Sequence, residues 1–263
     1  MDPSPSIASH DDTATVAAVG ALAATMATVC HETLGHGLGC LGAGAHITLL
    51  TSVWFRCSTS SVGADAGGPI GNLVAGILAV ALLSRTRADP TVRLLLLLFG
   101  ALSLFWFMGQ LTFESATNRH DDWYWALQPG RAAIWRPVGI IVGIGGYVLA
   151  QRVLAAINRE HGGCKGRSIR LAYAAAAASA VIAGLMWRPE PFRSALEGFL
   201  ILGLAPLGLL GIAGKTSQDV GNDIRPGCVP RSWIWIAVCA VIFGLFLCIQ
   251  ARGLGGPVDA QPH

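Results

Sequence analysis

Residues 13–36 read TATVAAVGALAATMATVCHETLGH. From Thr13 to Cys30 no side chain is charged. A helix rises 1.5 Å per residue, and about 20 apolar residues cross a hydrocarbon layer some 30 Å thick. Continued helically through His36, the segment is long enough to span. It ends on two histidines and a glutamate. Ionisable groups at membrane depth are expensive and by default mark function, so one stretch bears on both fold and site.

The rest of the chain agrees with a membrane origin. Of its 263 residues 53% are hydrophobic and only 13% charged, against roughly 25% charged in soluble domains. The mean hydropathy is +0.56. Six further uncharged runs follow the first (13–36), at 66–84, 94–113, 138–151, 171–187, 198–214 and 232–250. The expected fold is therefore an all-α polytopic membrane protein of about seven transmembrane helices, lodged in a lipid bilayer. Trp187, Trp233 and Trp235, near the ends of runs, suit an interfacial aromatic belt. Gly139 and Gly143 form a GxxxG pair that permits close helix contact. Residues 1–12, MDPSPSIASHDD, lack the basic region of a cleavable signal and read as a disordered leader. The net charge of +3 is small and unclustered, so no nucleic-acid partner is expected. Seven cysteines without a CxxC pair predict no disulfide framework; Cys30, Cys239 and Cys248 lie in apolar runs, as small hydrophobes do.

The spacing of His31 and His36 needs explanation. Each residue of an α-helix turns about 100°, so positions five apart diverge by about 140°. A π-bulge absorbs one extra residue and would return His36 beneath His31. Gly35, Gly37 and Gly39 make the backbone pliable enough for one. Two more polar patches follow. AGGPIGN, residues 66–72, interrupts the chain with Gly67, Gly68 and Pro69 just before the second span and places Asn72 in its first turns. NRHDDW, residues 118–123, follows the third span with His120, Asp121 and Asp122. Because successive spans alternate direction, all three patches meet on one face of the bilayer. A zinc site needs three N or O ligands and an open position for water. Two histidines and an aspartate supply the ligands, and Glu32 is left to act as general base.

In this order HETLGH, AGGPIGN and HDDW resemble the motif set of the site-2-protease family of intramembrane zinc proteases. The resemblance covers roughly 13–127 and implies a three-helix metalloprotease-like core (13–130), followed by four further transmembrane helices (131–263). It implies Zn2+ as cofactor, His31, His36 and Asp122 as ligands with Asp121 as rival, Glu32 as catalytic base, and Asn72 as a holder of the substrate strand. The substrate would be a membrane protein, typically of a single span. Two departures stand out. The histidines are one residue further apart than in HExxH, and the Asp-Gly of the third ligand is replaced by Asp122-Trp123. The longer spacing resembles the HELLGH of dipeptidyl peptidase III, a soluble zinc peptidase.

HITLLTSVWFRCSTS, residues 46–60, is β-branched and partly alternating; it resembles the short extended segment that follows the first span in the same family. Lys and Arg are denser on the N-terminal face, through QRVLAAINREHGGCKGRSIR, than on the motif face, so the positive-inside rule puts the motif face outside a bacterial inner membrane. Two alternatives are a catalytically inactive, protease-like scaffold and a polytopic metal-ion transporter. The transporter would want ionisable residues in the later runs, which have none.

Overall fold

The structure, a computed structural model, describes residues 10–86, 89–117, 121–128, 130–160, 164–218 and 228–255. Seven helices are long and apolar enough to cross a membrane. They are α1 (Thr13–Gly42), α2 (Val62–Arg85), α3 (Pro90–Thr117), α5 (Ala132–Glu160), α6 (Gly166–Leu185), α7 (Pro191–Lys215) and α8 (Trp233–Ala251), with a one-turn helix α4 (Tyr124–Leu127) before α5. This is the expected all-α polytopic architecture. Large apolar side chains such as Ile134, Ile141 and Leu149 on α5, and Ile234, Val241 and Leu245 on α8, face outward, where acyl chains accept them.

The helices outrun their apolar stretches because capping residues set their ends. The Asp12 carboxylate accepts the Thr15 N–H at 2.9 Å, Ser61 caps α2 through Ala64 N and Ser232 caps α8 through Trp235 N. Each such cap satisfies an N–H that has no partner within the helix. Of the expected leader, residues 1–9 lie outside the described residues. At its end Asp11 is held by Val229 N and Ser168 Oγ.

Helix α3 runs through the centre. Its Leu94, Leu97, Leu98, Leu102 and Phe105 are fully buried in a core shared with Val16 and Val19 of α1, Leu154 of α5, Ile169 of α6 and Leu209 and Ile212 of α7. In lipid the hydrophobic effect does not draw helices together, so close approach depends on small residues. Ala172, Ala176, Ala180 and Ala183 give α6 a buried small-residue face. A Cβ on Gly20 would overlap the Ala172 carbonyl. Gly139 and Gly143 seat α5 against Ser115 and Thr112 of α3, as the GxxxG pair predicts.

Two expectations are corrected. Gly67, Gly68 and Pro69 do not precede the second helix; they lie inside α2, a turn and more beyond the Ser61 cap. Cys40 and Cys57 form a disulfide, where no disulfide framework was expected. The bridge joins the end of α1 to the extended segment, whereas Cys30, Cys239 and Cys248 are free. That segment is an antiparallel hairpin of β1 (Ile47–Leu50) and β2 (Phe55–Cys57), with Leu50 opposite Phe55. Leu254 bridges the other edge of β1, so β2 is the outer strand.

Candidate metal centre

From Val29 to His36 helix α1 is π-helical. The wider turn does what the histidine spacing requires: His31 and His36, five apart, stand one above the other, with Nε2 atoms 3.2 Å apart. Close backbone contact with α2 accommodates the widened turn. A Cβ on Gly35 would overlap Gly67, one on Gly39 would overlap Gly63, and one on Gly68 would run into the His36 ring. This is why the glycines of the second patch lie within a helix rather than before one. Pro69 cannot donate the N–H that the Asp65 carbonyl would otherwise receive.

Asp122 reaches the pair from the segment after α3. Its Oδ2 lies 3.1 Å from His31 Nε2 and its Oδ1 3.3 Å from His36 Nε2. These three residues, all buried, are the group among the described residues whose donor atoms could hold one metal ion. With one donor atom taken from each residue, the three atoms lie within 4.8 Å of one another, near enough for bonds of about 2.0–2.2 Å to one ion. Asp121, the rival ligand, is exposed and stands outside the triad. His120 lies outside the described residues.

The outer contacts of both histidines fall on Nδ1 and leave Nε2 facing Asp122. His36 Nδ1–H donates to the Ala64 carbonyl at 2.6 Å, which directs the Nε2 lone pair inward. The Asn72 amide meets His31 Nδ1 at 3.1 Å. Among the described residues Asn72 Oδ1 is buried without a partner. Turned about its terminal bond, the amide offers that oxygen to Nδ1–H, the tautomer a ligating Nε2 requires. Asn72, expected to hold a substrate strand, is fully buried, and its side chain meets the His31 ring. Trp106 stacks on His31 with ring centroids 4.1 Å apart, and Phe55 of β2 stacks on His36 at 5.1 Å.

Sequence reasoning missed Gln110 and Glu114, one helical turn apart on α3. Gln110 Nε2 donates to Asp122 Oδ2 at 2.5 Å. Glu114 Oε2 accepts the Trp123 N–H at 3.1 Å, pinning the residue after the aspartate. A rigid helix thereby fixes a ligand carried by a connecting segment. Burial alone would raise the Asp122 carboxyl; the adjoining His36 and His31 rings override it and hold the group well below the ordinary carboxylate range.

Glu32 is 3% exposed and shares with His31, His36 and Asp122 a cavity of about 810 Å3, whose far wall includes Phe55 and Arg56 of the hairpin. The last helix also supports the site. Gln250 donates to the Thr51 carbonyl and accepts the Thr33 hydroxyl at 2.9 Å, tying the π-turn to the hairpin. The hairpin tip is anchored to α7 by Trp54 Nε1–H, which donates to Ser194 Oγ. Compared with known proteins, the chain matches no family profile, no curated protein and no solved structure.

Proposed function

We propose that the protein is an intramembrane zinc metalloprotease of the site-2-protease type, cleaving membrane-embedded or membrane-proximal protein substrates. One observation carries the reading: two imidazole nitrogens and a carboxylate converge at 3.1–3.3 Å in a cavity that Glu32 also lines. Two nitrogens and one oxygen suit zinc and leave a position open for water. When bound, the ion would supply Lewis-acid activation of water and of the scissile carbonyl.

The chain's own groups do the remainder. Glu32 takes the proton of the attacking water and delivers it to the departing amine nitrogen. Asn72 and the Ala64 carbonyl keep both imidazoles in their ligating tautomers. The hairpin offers the outer edge of β2 to an unwound substrate segment, whose backbone must leave its own helical hydrogen bonds before attack.

The proposed location is a bacterial inner membrane with the motif face outside. The Cys40–Cys57 bridge on that face favours an oxidising compartment. Arg152, Arg159, Lys165, Arg167 and Arg170 gather at the opposite face, as the positive-inside rule asks of the cytoplasmic side. A cysteine at exposed Thr59 should label with a membrane-impermeant maleimide in intact cells, and one at exposed Arg167 only after lysis. The reverse pattern would overturn this orientation.

Zinc content and cleavage of a model single-span peptide test the enzyme itself. Wild type should bind zinc and cut; Glu32→Gln should bind zinc and lose cleavage by roughly 100-fold or more. Zinc without cleavage in either protein would identify the inactive scaffold. Metal flux into vesicles without cleavage would identify the transporter.

A further inference from the structure

A second chamber of about 370 Å3 lies between α3 and α7. It shares Trp106, Gln110, Asp121 and Ile201 with the wall of the metal cavity, so the two are neighbours. Its sides are apolar, built from Phe113, Leu200 and Leu204, and its polar lining is acidic: Glu114, Asp121 and Glu197. No lysine or arginine lines it among the described residues, although the chain as a whole carries a net charge of +3.

Two of its polar groups have an acceptor to spare. Gln110 spends its amide N–H on Asp122 and Glu114 spends Oε2 on Trp123 N–H. The remaining oxygen of each, Oε1, is buried with no partner among the described residues, and Glu114 is only 2% exposed. A buried oxygen acceptor without a donor is costly and calls for one from elsewhere. Asp121 and Glu197 add further carboxylates beside these acceptors, so a donor that also carries positive charge suits the chamber best. An inorganic cation does not fit, because the His31–His36–Asp122 group, and not these carboxylates, brings three donors within reach of one ion. An ammonium or guanidinium on an aliphatic stem does fit: the stem lies along the apolar walls and the charge reaches the acidic lining.

From this we infer that the chamber is a specificity pocket for a lysine or arginine side chain of the substrate, close to the cleaved bond. The inference rests on the protease reading for the word substrate, but its binding chemistry is testable alone. Basic residues are scarce at the outer ends of single spans, so such a pocket would narrow the range of substrates sharply.

The test is binding of a fluorescent single-span peptide that carries lysine at its outer membrane boundary, compared with the same peptide carrying norleucine. Both are titrated into detergent-solubilised Glu32→Gln protein, so that no cleavage is needed. The lysine peptide should bind roughly tenfold more tightly, the range of a close charge pair in a partly desolvated site. Glu197→Gln, which alters a half-buried carboxylate away from the metal ligands, should shrink that ratio towards one and leave norleucine binding unchanged. Equal affinities for the two peptides, or a ratio untouched by Glu197→Gln, would overturn the pocket. Because the peptide comparison needs no pocket variant, it decides the matter even where Glu197→Gln fails to fold. Loss of cleavage in the wild type with the lysine preference intact would sink the protease reading and spare the pocket.

Discussion

Among the described residues three spanning helices depart from α-geometry, α8 at its end and α1 and α7 where they line the cavities. These last two do so to different ends. In α1 the π-turn Val29–His36 carries His31, Glu32 and His36. In α7 the chain passes through a π-turn at Leu200–Leu204 and a 3-10 turn at Ala205–Leu207 without one ionisable side chain. The first break brings His31 and His36 into register, and the second shapes a wall. Irregular helix geometry thus marks a place where the chain was re-aimed, and the side chains decide whether chemistry follows.

The largest effect should come from closing the space that the π-turn of α1 occupies. Gly68→Ala puts a methyl group into the His36 ring, with no flexible side chain free to yield. Overpacking of this kind typically destabilises by about 1–3 kcal/mol; here it should also displace a ligand, so zinc content falls sharply. Gly214→Ala in α7, where a Cβ meets nothing within 4 Å, should leave zinc unchanged. Equal zinc in the two variants would erase the contrast between the helices.

Next in size is Gln110→Ala, which removes the donor to Asp122. Loss of an outer contact to a ligand weakens metal binding by roughly 10–100-fold, readable by competition with a chelator. Acid should release the metal as well. The depressed Asp122 carboxyl favours its charged, folded-state form above its ordinary value, and that contribution disappears only as pH falls through the lowered one. Imidazoles, with an ordinary value near 6.5, compete for protons first. Occupancy should therefore decline between about pH 7 and pH 5. Retention of full occupancy at pH 4 would show that histidines are not the ligands.

The smallest expected effect is the most informative about geometry. Deleting Leu34, a half-exposed residue of the π-turn, shortens the motif to HExxH and allows an ordinary α-turn, so both flanks keep their places. Zinc content should survive. Deleting Leu202, buried in the second break, should leave zinc alone but disturb the packing of α7, measured as a lower Tm.

Much of this was legible beforehand because distance along the chain and alternation of spans are both simple to read. HETLGH ended one span, and Asp122 followed another that returned to the same face. Gln110 and Glu114 were not legible. The apolar window closed at Phe113, which cut Glu114 from the helix it belongs to, and a lone glutamine among FWFMGQ gives no hint of its partner. The Cys40–Cys57 bridge was hidden for a different reason: its partners meet only once the hairpin has formed. The contact of Asn72 with His31 was not legible either, since no local pattern tells whether an amide near a helix start faces a groove or a buried ring.

The central claim is that His31, His36 and Asp122 hold a single zinc ion. X-ray absorption at the zinc edge, on protein purified without added chelator, tests it most directly. The account predicts about one zinc per chain, a nitrogen and oxygen shell at roughly 2.0–2.1 Å with two imidazoles, and loss of that signal in His36→Ala. A sulfur shell, or the same spectrum and zinc content in His36→Ala, would contradict it.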